Sequence, residues 1–140
     1  MTNTAFDALS CLEVEEFKKY CKGIKVDGEI AQTVTLTLDY GQGLWCSKGS
    51  LLGHSDGIDW MLKIPGGASK TVGRVLSGEG ATLTRITSQR SNGEVILTAN
   101  QPGKLVTWDL SRGPIVCTSG SFLAALGDVT IDVTAAKSAG

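Results

Sequence analysis

The chain has 140 residues, enough for one domain with its own core, and is 41% hydrophobic and 19% charged. Its formal net charge of −1 and acidic pI near 5.8 exclude the strong positive field that gathers nucleic acid or anionic lipid, so no nucleic-acid partner is expected. Eighteen glycines against three prolines describe short strands and tight turns rather than a disordered chain.

Residues 13–22 place Glu13, Glu15 and Glu16 before Lys18, Lys19 and Lys22, matching the helix dipole, and Gly23 follows as a stop. Val14, Phe17 and Cys21 share one face, which predicts a short amphipathic helix with a solvated lysine face. The period then changes to two. Ile30, Val34, Leu36, Leu38 and Tyr40 alternate with polar or small residues, predicting a half-buried strand that Gly41-Gln42-Gly43 turns into a partner beginning at Leu44-Trp45-Cys46. From Gly49 to Gly73 six glycines and one proline break the pattern, although Ile58, Trp60, Leu62 and Ile64 alternate within it and predict a short strand. Lys70–Leu76 reads as one helical turn. Strands are predicted at Thr82–Gln89 and Glu94–Ala99 around an Asn92-Gly93 turn. Another is predicted between the Pro102-Gly103 and Arg112-Gly113-Pro114 reversals, with Val106, Trp108 and Leu110 on one face. In Asp128–Thr134, Val129, Ile131 and Val133 alternate with polar residues and predict a final strand. Turn-punctuated strands at this spacing mean an all-β sandwich or barrel. The expected layout is an N-terminal helical extension (1–23), a β-sandwich module (24–134) and a flexible tail (135–140).

Cys11, Cys21, Cys46 and Cys117 follow no disulfide or zinc spacing. Neither a secretory leader nor an apolar run of about 18 to 20 residues is present, so a soluble, cytoplasmic protein with free thiols is expected.

The order and spacing of several short motifs carry a resemblance. They are a strand ending at Leu38, the turn at Gly41, Gly49-Ser50, then Arg74, Ser77, Gly78 and Glu79, then Pro102, Gly103, Asp109 and Leu110, and finally Phe122-Leu123-Ala124. Over residues 28–134 the chain resembles the altered-inheritance-of-mitochondria, or mitochondrial-biogenesis, family, whose bacterial members form a domain of unknown function. The resemblance implies a β-sandwich of the shortened double-stranded β-helix type, similar to the tryptophan RNA-binding attenuation protein and assembling side by side. The family commonly carries this module twice in a chain, whereas this sequence holds about one copy.

The sequence holds no recognisable catalytic constellation. His54, the single histidine, stands in G-H-S-D-G without a nucleophile motif beside it, and reads as an exposed loop residue. Cys46, His54, Asp56 and Asp59 fit neither a zinc ribbon nor an EF-hand loop, so no metal is expected. Around Lys70-Thr71 the phosphate-loop pattern would need glycines where Ile64 and Ser69 stand, so no cofactor is expected either. Arg74, Glu79 and Arg85 read as a structural ion-pair set, with Arg74–Glu79 the primary pair and Arg85 the alternative partner of Glu79. Trp45, Trp60 and Trp108 read as core or interface anchors, and Arg85, Trp108 and Phe122 join Arg74 and Glu79 as structural or interface candidates.

The expected function is therefore a non-enzymatic assembly module that associates through its sandwich edges as a homo-oligomer. The alternative is a binding module for a small ligand or RNA at subunit interfaces. Val34, Leu36, Leu38, Val106, Trp108, Val129, Ile131 and Val133 are expected to be buried, and the seam is expected at Ile30–Tyr40 or Asp128–Thr134.

Overall fold

The computed structural model describes residues 15–66 and 82–132. Among these, eight strands form two four-stranded antiparallel sheets that face each other as a β-sandwich. The strands are β1 (Gly23–Asp27), β2 (Thr33–Leu38), β3 (Gly43–Cys46), β4 (Leu51–His54), β5 (Ile58–Lys63), β6 (Leu83–Ser88), β7 (Gly93–Thr98) and β8 (Ala124–Leu126). One sheet runs in the order β1-β2-β7-β4 and the other β5-β6-β3-β8.

The core follows from the alternation in the inner strands. Val34, Leu36 and Leu38 of β2, with Val95 and Leu97 of β7, face Leu44 and Cys46 of β3 and Ile86 of β6, and all are buried. Polar groups drawn into this interior are paired. Ser88 Oγ donates to the Arg90 carbonyl at 2.7 Å, and Ser50 Oγ donates to the Ser47 carbonyl at 2.7 Å. Asn92 takes φ 60° at the β6–β7 reversal, as the Asn-Gly pair predicts. Gly93 then enters β7 where an added Cβ would collide with the side chains of Ser88 and Ile58.

Several expectations are corrected. Among the described residues, a single turn, α1 (Glu15–Lys18), stands where the N-terminal helix was expected to run to residue 22. The amides of Tyr20 and Cys21 both reach the Phe17 carbonyl at 3.0 Å, and the Lys22 amide then donates to the Thr37 carbonyl at 2.7 Å. So short a helix has little stability of its own, and pairing of β1 with β2 captures the chain from Gly23. Ile30 and Tyr40 lie outside β2 and are exposed. Because β1 covers one side of β2 and β7 the other, β2 is no edge strand and cannot be the seam.

Among the described residues, 128–132 pair with no strand, and Val129 and Ile131 are half-buried; Val133 lies outside the described residues. Ala124–Leu126 occupies the outer flank of β3 instead, and Gly127 at φ 86° turns the chain away beneath the Tyr20 ring.

The expected strand before Leu110 is a segment without a ladder to any other described residues beyond Gly103, and its burial is reversed. Val106 is 70% and Trp108 43% exposed, while Leu105 packs on the core. A parallel bridge between Ala31 and Gly103 and a 2.7 Å bond from the Leu105 amide to Gln32 Oε1 set this phase. With a period of two, fixing Leu105 inward sends Val106 and Trp108 outward. The expected turn at Lys70–Leu76 lies outside the described residues.

Candidate functional site

A groove opens on the outer face of the β5-β6-β3-β8 sheet. Leu44 and Cys46 point inward, so Trp45 between them points out, and likewise Arg85 between Thr84 and Ile86. The register sets Trp45 directly opposite Arg85, and the guanidinium carbon stands 5.3 Å from the indole centroid. Gly43 makes this arrangement possible. A Cβ there would lie 3.1 Å from Arg85 Nη2 and 2.5 Å from the Ile86 carbonyl oxygen, so the missing side chain leaves room for the guanidinium.

The groove encloses about 530 Å³, and Lys19, Tyr20, Gln42 and Asp128 complete its wall with Trp45 and Arg85. Tyr20 lies over Gly127, where a Cβ would sit 2.5 Å from the ring. Gln42 is held on both ends of its amide: Oε1 accepts from the Asp39 amide at 2.8 Å and Nε2 donates to the Lys19 carbonyl at 3.4 Å. The result is a concave surface combining an aromatic face, two cations and one acid. It can stack a flat group and hold an anion beside it.

The other sequence candidates are dispersed. Arg74 and Glu79 lie outside the described residues. Trp108 donates from Nε1 to the Gly113 carbonyl at 2.9 Å, with the Arg112 guanidinium 5.2 Å from its ring. That local contact steadies the indole on the surface rather than in the core. Beside it Asp109 accepts from the Ser111 amide at 2.9 Å, and this bond holds its carboxyl below the usual carboxylate range. Phe122 is half-buried, and its carbonyl accepts from Ser47 Oγ, tying the approach to β8 onto the loop after β3.

His54 is exposed at the end of β4, with Nδ1 2.8 Å from the Ser55 carbonyl oxygen, while Cys46 is buried. Burial pushes the thiols of Cys21 and Cys46 up, away from the reactive thiolate. Among the described residues no three His, Cys, Asp or Glu side chains gather as metal ligands. Nor, among the described residues, is any helix long and apolar enough to cross a membrane.

Sequence reasoning marked Arg85 but assigned it a carboxylate partner. The Trp45–Arg85 pair is not legible in the sequence because it depends on the β3–β6 register, which joins positions far apart in the chain. Gly43 was the available signal, read only as a turn residue.

Comparison with known proteins places this architecture. An uncharacterized protein of Streptococcus pyogenes serotype M6 is 29% identical over 98 residues, which are 65% of this chain and 39% of the relative. A crystal structure of a Streptococcus pyogenes protein superposes with a TM-score of 0.54 at 24% identity, over 75% of this chain and 50% of that one. The chain thus spans half or less of the length of these relatives. The family described as Mitochondrial biogenesis AIM24 matches residues 24–140, and with that match covering most of the sequence and the sandwich in place, the chain belongs to this family.

Proposed function

We propose that this protein is a non-enzymatic assembly module, a β-sandwich that associates with further copies of itself through its edges. The observation that carries this reading is that, while other exposed apolar side chains lie on loops, four lie on two edge strands. Leu52 is on edge strand β4, Trp60, Met61 and Leu62 are on edge strand β5, and Val106 and Trp108 are on the outward face of segment 104–110. Apolar groups gathered on sheet edges, beside unpaired backbone donors and acceptors, suit strand-to-strand association. Sedimentation velocity and light scattering across a concentration series test it. A sedimenting species of at least two chains at tens of micromolar is expected, and a monomer throughout would defeat the reading.

The Trp45–Arg85 groove favours a second reading, a binding module for a small anionic ligand with a flat ring. Its aromatic face and guanidinium suit such a ligand better than an RNA strand, given the net charge of −1. Titration with adenosine monophosphate, followed by amide and indole NMR shifts, tests it. Shifts confined to Trp45, Tyr20 and Gly127 and abolished by Arg85→Gln would support it, and an unchanged spectrum would count against it.

A further inference from the structure

Resting on the self-association reading above, we propose that two copies of this chain join by antiparallel pairing of β5 with β5 of the second copy, on a twofold axis through Met61. The two β5-β6-β3-β8 sheets then become one continuous sheet.

Among the described residues, β5 is the least guarded of the four sheet edges. β8 has three residues, β4 is short and shifts register between Leu51 and Gly53, and β1 carries the Lys25–Asp27 ion pair at 3.7 Å. Short strands, irregular register and charge are the usual protection of a free edge. β5 has six residues in unbroken register with β6, and neither proline nor a bulge interrupts it. Trp60 and Met61 are each 51% and Leu62 47% exposed, so both faces of this edge strand present apolar surface.

The backbone phase of the open edge follows from the hydrogen bonds. The Gln89 amide donates to the Gly57 carbonyl at 2.8 Å, making 57 and 89 a hydrogen-bonded pair of the antiparallel ladder. Ser88 agrees, since its amide donates to the Gln42 carbonyl at 2.9 Å and its carbonyl accepts from the Gly41 amide at 2.8 Å, both toward β3. By alternation, Asp59, Met61 and Lys63 bond to β6, and the backbone groups of Ile58, Trp60 and Leu62 point to the open edge.

A twofold axis at Met61 uses those groups correctly. Trp60 stands opposite Leu62 of the second copy, and the edge-facing groups of both residues hydrogen-bond across the seam. Asp59 stands opposite Lys63 of the second copy, and Met61 opposite its own counterpart. These last pairs occupy the non-hydrogen-bonded positions, where cross-strand side chains come closest. The symmetric operation makes the Asp–Lys pair twice. Asp59 and Lys63 are both exposed, and among the described residues Lys25–Asp27 is the only ion pair within the chain, so these charges await a partner. A twofold axis at Trp60 would also satisfy the backbone, but it sets Asp59 against Met61 and Lys63 against Gly57, leaving the charges unmatched. The charge pattern therefore selects Met61. On the core side, Trp60 and Leu62 flank buried Ile86 and Thr84, so pairing extends the apolar layer across the seam.

The full chain tests this by sedimentation velocity on wild type, Asp59→Lys, Lys63→Asp, an equimolar mixture of the two variants, and the double variant. Far-UV spectra report folding, and Met61→Cys in a Cys11→Ser, Cys117→Ser background reports proximity by disulfide cross-linking. Each single variant places like charges opposite each other twice, and is expected to raise the dimer dissociation constant about tenfold. The mixture restores both Asp–Lys pairs, as does the double variant, and both are expected to associate like wild type. Met61→Cys is expected to form a disulfide-linked dimer on mild oxidation. If wild type associates but the single variants associate equally well, or if Met61→Cys does not cross-link, the β5 seam is wrong and self-association through another edge stands. If wild type is monomeric at every concentration and Met61→Cys does not cross-link, both readings fall.

Discussion

β2 and the extended segment 104–110 carry the same alternation of apolar and polar residues, and the protein treats them in opposite ways. β2 lies between β1 and β7 with a second sheet across from it, so its Val34, Leu36 and Leu38 have one dry side to fill. Segment 104–110 has Gln32 and the Ala31–Gly103 bridge at one end to set its phase, and these select Leu105, not Val106, for the core. Alternation says that a strand has two unlike faces. The neighbours decide which face is dry.

The largest test of this contrast is truncation on both sides of it. Leu38→Ala is expected to cost about 2 to 5 kcal/mol in chemical denaturation, whereas Val106→Ala should stay within about 0.5 kcal/mol. Equal losses would erase the distinction. Gly43→Ala is next, at about 1 to 3 kcal/mol, because its Cβ meets the rigid Ile86 carbonyl as well as Arg85. Altered Trp45 ring-proton shifts would accompany it.

Gln32→Ala sharpens the comparison at its hinge. Gln32 is buried, with Nε2 donating to the Gly28 carbonyl at 3.1 Å while Oε1 holds the Leu105 amide. Loss of both bonds is expected to cost about 1 to 3 kcal/mol and to speed hydrogen exchange at Leu105 while β2 amides remain protected.

Smaller effects separate interior from surface chemically. Exposed Cys117 is expected to react with a thiol reagent on mixing, whereas buried Cys21 and Cys46, with thiols pushed up by burial, should react only at the rate of opening. The Tyr40 amide holds the carboxyl of Asp39 low, as the Ser111 amide does that of Asp109. Their folded values lie below the unfolded ones, so the stabilisation they give is present above the unfolded pKa and is lost as pH falls through the folded one. Carboxyl-carbon NMR titration checks this, and midpoints at or above the ordinary aspartate value would refute it.

The inner strands were legible because three signals agreed there. β6 and β7 alternate, contain β-branched residues and flank an Asn-Gly turn, and they stand within a residue of the expected bounds. β1 and β4 were not legible. Gly23–Asp27 alternates Ile24 and Val26 with Gly23, Lys25 and Asp27 over only five residues, and β4 has four residues and an irregular register, so both are too short to stand out. Residues 128–132 alternate well, yet among the described residues they join no ladder, and it is β8 that occupies the outer flank of β3. The site was legible in its parts only. Arg85 was marked as a charge worth following, but its position over Trp45 is a property of register and of the bare Gly43. β5 was expected as a strand, and its self-complementary order of charges acquires meaning only once β5 is known to be an edge.

The stacking of Tyr20 on Gly127 has a topological consequence. It brings the first described residues beside a segment near the last: Lys19 and Tyr20 share one groove wall with Asp128 and Val129, next to edge strand β8 and across the sheet from β5. A covalent splice made between residues 19 and 129 would therefore cross little distance, and the chain could be reopened at Ser91-Asn92, in the turn between β6 and β7. Such a circular permutant should keep the same sandwich, with its new termini in a surface turn and the β5 edge untouched.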